Sequence, residues 1–263
     1  MRCVLCGVAL ALFAAANPAH AKATLVALTA SGALLVFDVD HPEAATRVAA
    51  HGHRGSLVGI DLRPADQKLY GLSTTNEIYR IDPETGEATL LASLTVPFDG
   101  GARSGIDFNP QADRLRLVSS EGQNLRVNVE IGAAALDRPL AYAPGDPNAG
   151  RRPGVAASAY SHSLPGAAAA STKLFDIDAA HDVLAVQDPP NDGALRTVGP
   201  LGIDFGPEAG FEIVSLPSGE DRAYAGAGST LYAIDLATGA ATKLAAIGAG
   251  GDAILSLAAS GAP

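Results

Sequence analysis

The stretch from Leu57 to Leu91 reads LVGIDLRPADQKLYGLSTTNEIYRIDPETGEATLL. Apolar and polar residues alternate with period two over short runs, and Pro-Ala-Asp, Ser-Thr-Thr-Asn and Thr85-Gly86 punctuate them. Side chains on a strand point to alternate faces, so this pattern describes four short strands, with turn residues where the chain must reverse. The strands are expected at 57–62, 68–72, 77–81 and 87–91. Four antiparallel strands in a unit of roughly 40–50 residues make a propeller blade.

Working outward, the end of the third strand recurs as an apolar run closed by an acid. Ile78-Tyr79-Arg80-Ile81-Asp82 matches Val36-Phe37-Asp38-Val39-Asp40, Leu174-Phe175-Asp176-Ile177-Asp178 and Leu231-Tyr232-Ala233-Ile234-Asp235, with Leu125-Arg126-Val127-Asn128 as a degenerate copy. The closing positions 40, 82, 128, 178 and 235 are 42, 46, 50 and 57 residues apart. Passing from 235 through the C-terminus and back in from Lys22 to Asp40 adds about 47 residues, a fifth unit of the same size. The expected fold is therefore all-β: a five-bladed β-propeller of four-stranded blades, with six blades as the alternative. The tail strand around Ile254 is expected to pair with the N-terminal strands near Leu25 to Phe37 and so close the ring without a free terminal edge.

A second pattern marks strands that precede a proline: Gly59-Ile60-Asp61-Leu62-Arg63-Pro64, Gly105-Ile106-Asp107-Phe108-Asn109-Pro110 and Gly202-Ile203-Asp204-Phe205-Gly206-Pro207. Near the last copy, the run Phe211-Glu212-Ile213-Val214 competes with it to be the innermost strand of its blade. The stretch from Pro144 to Pro153 reads as an irregular loop.

Residues 1–21 read as a secretory signal peptide. Met1-Arg2 is basic, Val4 to Ala16 is apolar but too short to span a bilayer, and Ala19-His20-Ala21 ends the segment with small residues at the cleavage position. The expected mature domain is 22–263, periplasmic or secreted. Cys3 and Cys6 lie in the leader, so the mature chain has neither thiol nor disulfide. Removing the leader takes away Arg2 and no acid, moving the charge from −10 to −11. That balance excludes a nucleic-acid footprint and disfavours anionic membrane surfaces. No membrane insertion is expected, and the chain reads as a monomer.

The segments Ser104 to Pro110, Arg114 to Val118, Gly122 to Asn128, Leu174 to Asp178, Gln187 to Gly193 and Val198 to Gly202 together resemble the bacterial family known as domain of unknown function 4394. The resemblance covers nearly the whole mature chain. It implies an exported propeller-like domain and carries no assigned reaction, ligand or catalytic residue.

The chemistry in the chain is sparse. There is no G-x-S-x-G elbow, HExxH, P-loop or full EF-hand loop, and Trp is absent. The paired acids Asp38/Asp40 and Asp176/Asp178 share a strand face and have the composition to hold Ca²⁺ or to act as acid and base. Their recurrence favours a scaffold role instead, with the closing acid accepting backbone N–H bonds in the following turn. Asp61, Asp107 and Asp204 read the same way. His51-Gly52-His53, with His41 as a possible third ligand, is the best metal-like signal, although solvated loop histidines fit it as well. The loops leading into the innermost strands carry His53, Arg54, Arg103, Arg151 and Arg152. The loops between second and third strands carry Ser73 to Asn76 and Ser119 to Asn124. Arg54, Arg103, Arg152, Asn76 and Asn124 are accordingly the candidate ligand-binding residues, suited to a small anion, a glycan or a protein partner. No cofactor is expected. The functional reading is a non-catalytic binding or interaction module; the alternative is a propeller hydrolase or lyase with its site on the loop rim or in the central channel.

Overall fold

The computed structural model describes residues 23–100, 103–206 and 208–260. Residues 1–21, read above as a signal peptide, lie outside these residues. Five separate sheets form the molecule, each starting from an inner strand: Ile254–Ala259, Leu57–Arg63, Ser104–Asn109, Val155–Tyr160 and Ala209–Ser215. Each inner strand packs on the inner strands of both neighbouring sheets, so the five close a ring around a central channel. Blade 1 continues through Thr24–Thr29, Ala33–Asp38 and Thr46–Ala49; blade 2 through Lys68–Ser73, Glu77–Ile81 and Ala88–Ser93. Blade 3 adds Arg114–Ser119, Asn124–Asn128 and Ala133–Leu136. Blade 5 adds Asp221–Ala227, Thr230–Ile234 and Ala241–Ala246. Blade 4 runs through Leu174–Asp178, Val183–Gln187 and Ala194–Pro200, and carries a fifth, parallel strand, Ala141–Tyr142, on its outer edge.

The molecule is thus a five-bladed propeller. Its closure is the expected one: Leu25 pairs with Ala259 and Ala27 with Leu257, so the C-terminal strand is the inner strand of the first blade. The apolar core is divided among the gaps between blades. Val26, Leu34, Ile60 and Tyr79 fill the first gap; Tyr70, Ile106, Phe108 and Leu125 fill the second. Val118, Val155 and Leu195 fill the third, and Phe175, Ile177, Phe211 and Ile213 the fourth. Leu25, Phe37, Tyr224 and Ile254 fill the last. Alternate residues of one strand serve the two gaps on its flanks, which is why the blades read as period-two alternation with both faces apolar.

Two features of the repeat differ from the expectation, and a third, left open between two strands, is decided. The turn cap of blade 1 is Asp38, whose Oδ1 accepts the Asp40 amide at 2.9 Å, two residues before the position the repeat marked. A slip of two keeps every side chain on its face, so alternation alone does not detect it. In blade 4 the copy ending at Asp178 occupies the second strand. The position equivalent to Asp82 and Asp235 there is Asp188, whose amide bonds to Ala194 as theirs bond to Glu87 and Ala240. Blade 4 is therefore the long one, because a 13-residue connection, Ser161 to Lys173, separates its first two strands. Finally, Gly202-Ile203-Asp204 is not an inner strand; that place belongs to Ala209–Ser215.

Candidate functional site

With the register corrected, the inner strands share a short pattern: glycine, an apolar residue, then an acid. It reads Gly59-Ile60-Asp61, Gly105-Ile106-Asp107 and Gly210-Phe211-Glu212. The glycines let neighbouring inner strands approach. A Cβ at Gly105 would stand 2.1 Å from Ser158 Oγ, and one at Gly210 2.7 Å from the Ser256 backbone. The acids reach across the same gaps. Asp61 Oδ2 accepts the Phe108 amide of the next blade at 2.6 Å, Asp107 Oδ1 accepts the Tyr160 amide at 3.1 Å, and Glu212 Oε2 accepts the Ala259 amide at 3.1 Å. Ser256 ties blade 1 to blade 2 on both sides of Ile60, accepting its amide and donating to its carbonyl.

These acids are also brought together. Asp61, Asp107 and Glu212 are each 4% exposed, and one oxygen of each lies within 4.8 Å of the others. Burial is the main reason that the carboxyls of Asp61 and Asp107 are held well above the ordinary range; at Asp61 the next cause is the Glu212 charge, at Asp107 the Asp61 charge. Burial likewise pushes Glu212 up to about 7. Three like charges buried this close together cannot all ionise freely, so at neutral pH the cluster holds protons or a cation. Among the described residues it is the group of acids or histidines close enough to share an ion.

The cluster forms the floor of a cavity of about 170 Å³ at the rim where the inner strands end. Its walls are mainly apolar, from Leu62, Pro64, Ile213, Leu216 and Pro217, with Gln67 and Ser215 as polar points among them. The long connection of blade 4 crosses above it: Ser163 and Pro165 line the cavity, the Gly166 amide bonds to Pro64 O at 2.8 Å, and the Ala169 amide to Pro110 O at 3.2 Å.

The candidates from the loops occupy other places. Arg103 lines the opposite mouth of the channel, with Glu208. Arg54 pairs with Glu77 at 3.2 Å, and Arg152 pairs with Glu121. Asn76 adopts φ +62 and its Oδ1 accepts the Phe98 amide. Asn124 is fully buried, taking Arg116 Nη1 on its oxygen and donating to the carbonyls of Arg138 and Pro190. His51 joins a short parallel bridge to Glu87; His53 meets Gly55 O at 3.0 Å and the edge of Tyr79; His41 contacts Glu43. The repeated closing acids do cap turns. Asp82 accepts the amides of Glu84 and Thr85, and Asp235 those of Ala237 and Thr238. Buried Asp178 serves the Gly154 and Ala180 amides, the Tyr142 hydroxyl and His181.

Asp61 and Asp107 were visible in the sequence as a repeated motif, but their meeting point was not. Glu212 was missed because Gly202-Ile203-Asp204 copies the motif more closely. The signal that identifies it is Gly210, two residues ahead of the acid as in the other two strands.

The model of the family described as Domain of unknown function (DUF4394) matches residues 33–258. No curated protein matches the chain. Among solved structures, a catalytically inactive virginiamycin B lyase from Staphylococcus aureus, with quinupristin, is 13% identical over 88% of this chain and 72% of its own, with a TM-score of 0.45. A structural genomics protein of unknown function from Bacteroides thetaiotaomicron VPI-5482 is 14% identical over 81% of this chain, with a TM-score of 0.51. The chain spans 53% of that protein's length, and the likeness is one of fold. The family match runs from the third strand of the first blade to the closing inner strand, so the chain belongs to the family of domain of unknown function DUF4394.

Proposed function

We propose that this is an exported, non-catalytic binding module whose ligand is a compact organic cation, seated with its charged group on Asp61, Asp107 and Glu212. The observation that carries the reading is the combination of a buried three-carboxylate floor with apolar walls in one cavity. Their bonds to backbone amides leave the negative charge uncompensated, which is costly at this depth, and a cation would relieve it. A bare metal ion would satisfy the floor but leave the apolar walls unused. The cavity volume of about 170 Å³ is near that of an engineered cavity, on the order of 150 Å³, that accepts benzene. A small amine with a ring or branched body fits both parts. The Arg2, Val4-to-Ala16 and Ala19-His20-Ala21 pattern supports export.

The test is a thermal-shift and calorimetric titration of the chain from Lys22 with benzylamine, benzyl alcohol and CaCl₂, each against NaCl at matched ionic strength. Benzylamine should raise the melting temperature saturably, more at pH 8 than at pH 6, because the cation must displace protons from carboxyls with raised affinity for them. Benzyl alcohol should do much less, and Asp107→Asn should remove the amine effect. Equal shifts with the alcohol, or none with the amine, reject the reading; a shift with calcium alone makes the site a metal site.

One observation favours a second reading as an acid–base enzyme. Asp61 and Glu212 are buried neighbours, with an oxygen of each within 4.8 Å of the other, and burial raises Glu212 to about 7, which suits a group that exchanges a proton near neutral pH. Turnover of glycosides, esters or lactones that Glu212→Gln abolishes would select it.

A further inference from the structure

We infer that the cleft between blades 3 and 4, formed by Arg114, Arg116 and Arg126, is a second binding site, and that it takes an oxyanion carried on a small polar molecule. This inference does not rest on the carboxylate-floored cavity. Arg114 and Arg116 stand two residues apart on one strand, so they share a face, and Arg126 is the cross-strand partner of Arg116. All three line a cleft of about 260 Å³.

Their charges are not balanced locally. Asp137 is the acid that serves two of them: its Oδ2 accepts Arg116 Nη1 at 2.6 Å and Arg126 Nε at 2.8 Å. The acid beside Arg114 is Asp113, whose carboxylate is taken by Arg63 through Nε at 2.8 Å and Nη2 at 2.7 Å. Arg114 donates Nη1 to the backbone carbonyl of Asp113. Among the described residues Asp137 is shared by two of the guanidinium groups and the third, Arg114, is bonded to backbone carbonyls only, so the cleft carries more guanidinium than carboxylate in direct contact, in a chain of net charge −10. Scattered solubilising charge would not gather cations here, since like charges at adjacent cross-strand positions repel.

The floor of the cleft is pre-organised. Arg116 is 2% exposed and is fixed by the Tyr160 hydroxyl, Asn124, Asp137 and Asn191. The mouth is open. Among the described residues Arg126 engages Asp137 through Nε, which leaves both terminal nitrogens for an incoming group. The planar donors of Arg114 and Arg126 match the paired oxygens of a phosphate, sulfate or carboxylate. A volume of about 260 Å³ leaves space for a small body attached to that group.

The experiment titrates the mature protein with sodium phosphate, sodium sulfate, glucose 6-phosphate and glucuronate, each against NaCl at equal ionic strength, by calorimetry and by two-dimensional NMR. Titration to about 10 mM fills a site of ~1 mM Kd nine-tenths. At least one oxyanion should bind saturably, with the shifted amides near Arg114 and Arg126. The four probes separate tetrahedral from planar anions and the bare ion from the ester. Arg114→Gln and Arg126→Gln, both at the open mouth, should each weaken binding about tenfold with the melting temperature little changed. The double variant Arg54→Gln, Arg152→Gln on the opposite rim should bind as the wild type does. The inference is overturned by absence of saturable binding with all four probes, by equal affinity in Arg114→Gln and Arg126→Gln, or by loss of binding only in the opposite-rim variant.

Discussion

Replacing Glu212 by glutamine removes one of three acids from the channel floor while keeping the shape and an amide oxygen to accept the Ala259 N–H. Burial raises the Glu212 carboxyl from 4.5 to about 7. At about 1.36 kcal/mol for each pH unit, ionising it inside the fold costs on the order of 3 kcal/mol. The group is fully buried, so solvent screening gives little discount. A carboxyl whose folded value is raised binds its proton more tightly in the folded chain. Its contribution is therefore most favourable below pH 4.5 and is lost as the pH rises through about 7. Glutamine has no such dependence. The variant should match the wild type within about 1 kcal/mol near pH 4.5 and exceed it by up to roughly 3 kcal/mol at pH 8. For a domain of this size that is a gain of roughly 6–12 °C in melting temperature. The assay is calorimetric and urea unfolding of both proteins from pH 4.5 to 8, in amine-free buffer with EDTA. A difference that stays constant across that range, or a variant less stable at pH 8, refutes the shared-proton account of the cluster.

Other consequences follow from the scaffold. Asp82→Ala and Asp235→Ala should each lower the melting temperature, with the asparagine variants recovering much of the loss. Backbone amides hold both carboxyls below their ordinary value, so their contribution is present above the unfolded value and fades as the pH falls through the folded one. Denaturation curves at pH 7 and pH 3 should show the wild-type advantage shrinking at the lower pH. Asp178→Ala strands the Tyr142 hydroxyl and the Gly154 amide in the interior and removes the cap on the Ala180 amide, and should cost about 3 kcal/mol or more in urea unfolding; a loss below about 1 kcal/mol would show that the hub is dispensable. Gly105→Ala and Gly210→Ala each force a methyl into an adjacent inner strand and should destabilise by about 1–3 kcal/mol, whereas Gly145→Ala, with open space around it, reports only the backbone strain of its φ of +84.

The number of blades was legible because turn residues and alternation repeat with the size of one supersecondary unit, and each unit must bury both faces against neighbours. Closure by the Ile254 strand was legible for a related reason: a chain with five inner strands but only four complete blades before its tail has one place left for the last strand. The turn acids Asp82 and Asp235 were legible because their partners lie two or three residues away. Register was not. A two-residue slip at Asp38, and the exchange of second for third strand at Asp178, preserve period two and leave no trace in the pattern. The site was hidden by distance along the chain. Asp61, Asp107 and Glu212 are separated by 46 and 105 positions, and only the curvature of the closed ring points three inner strands' acids at one spot. The same holds for Arg126, set opposite Arg116 by strand pairing, and for the cleft they face, which exists only because blade 4 packs beside blade 3. Local chemistry decides strands, turns and the repeat; which charges become neighbours, and which lose their water, is decided by how the blades close.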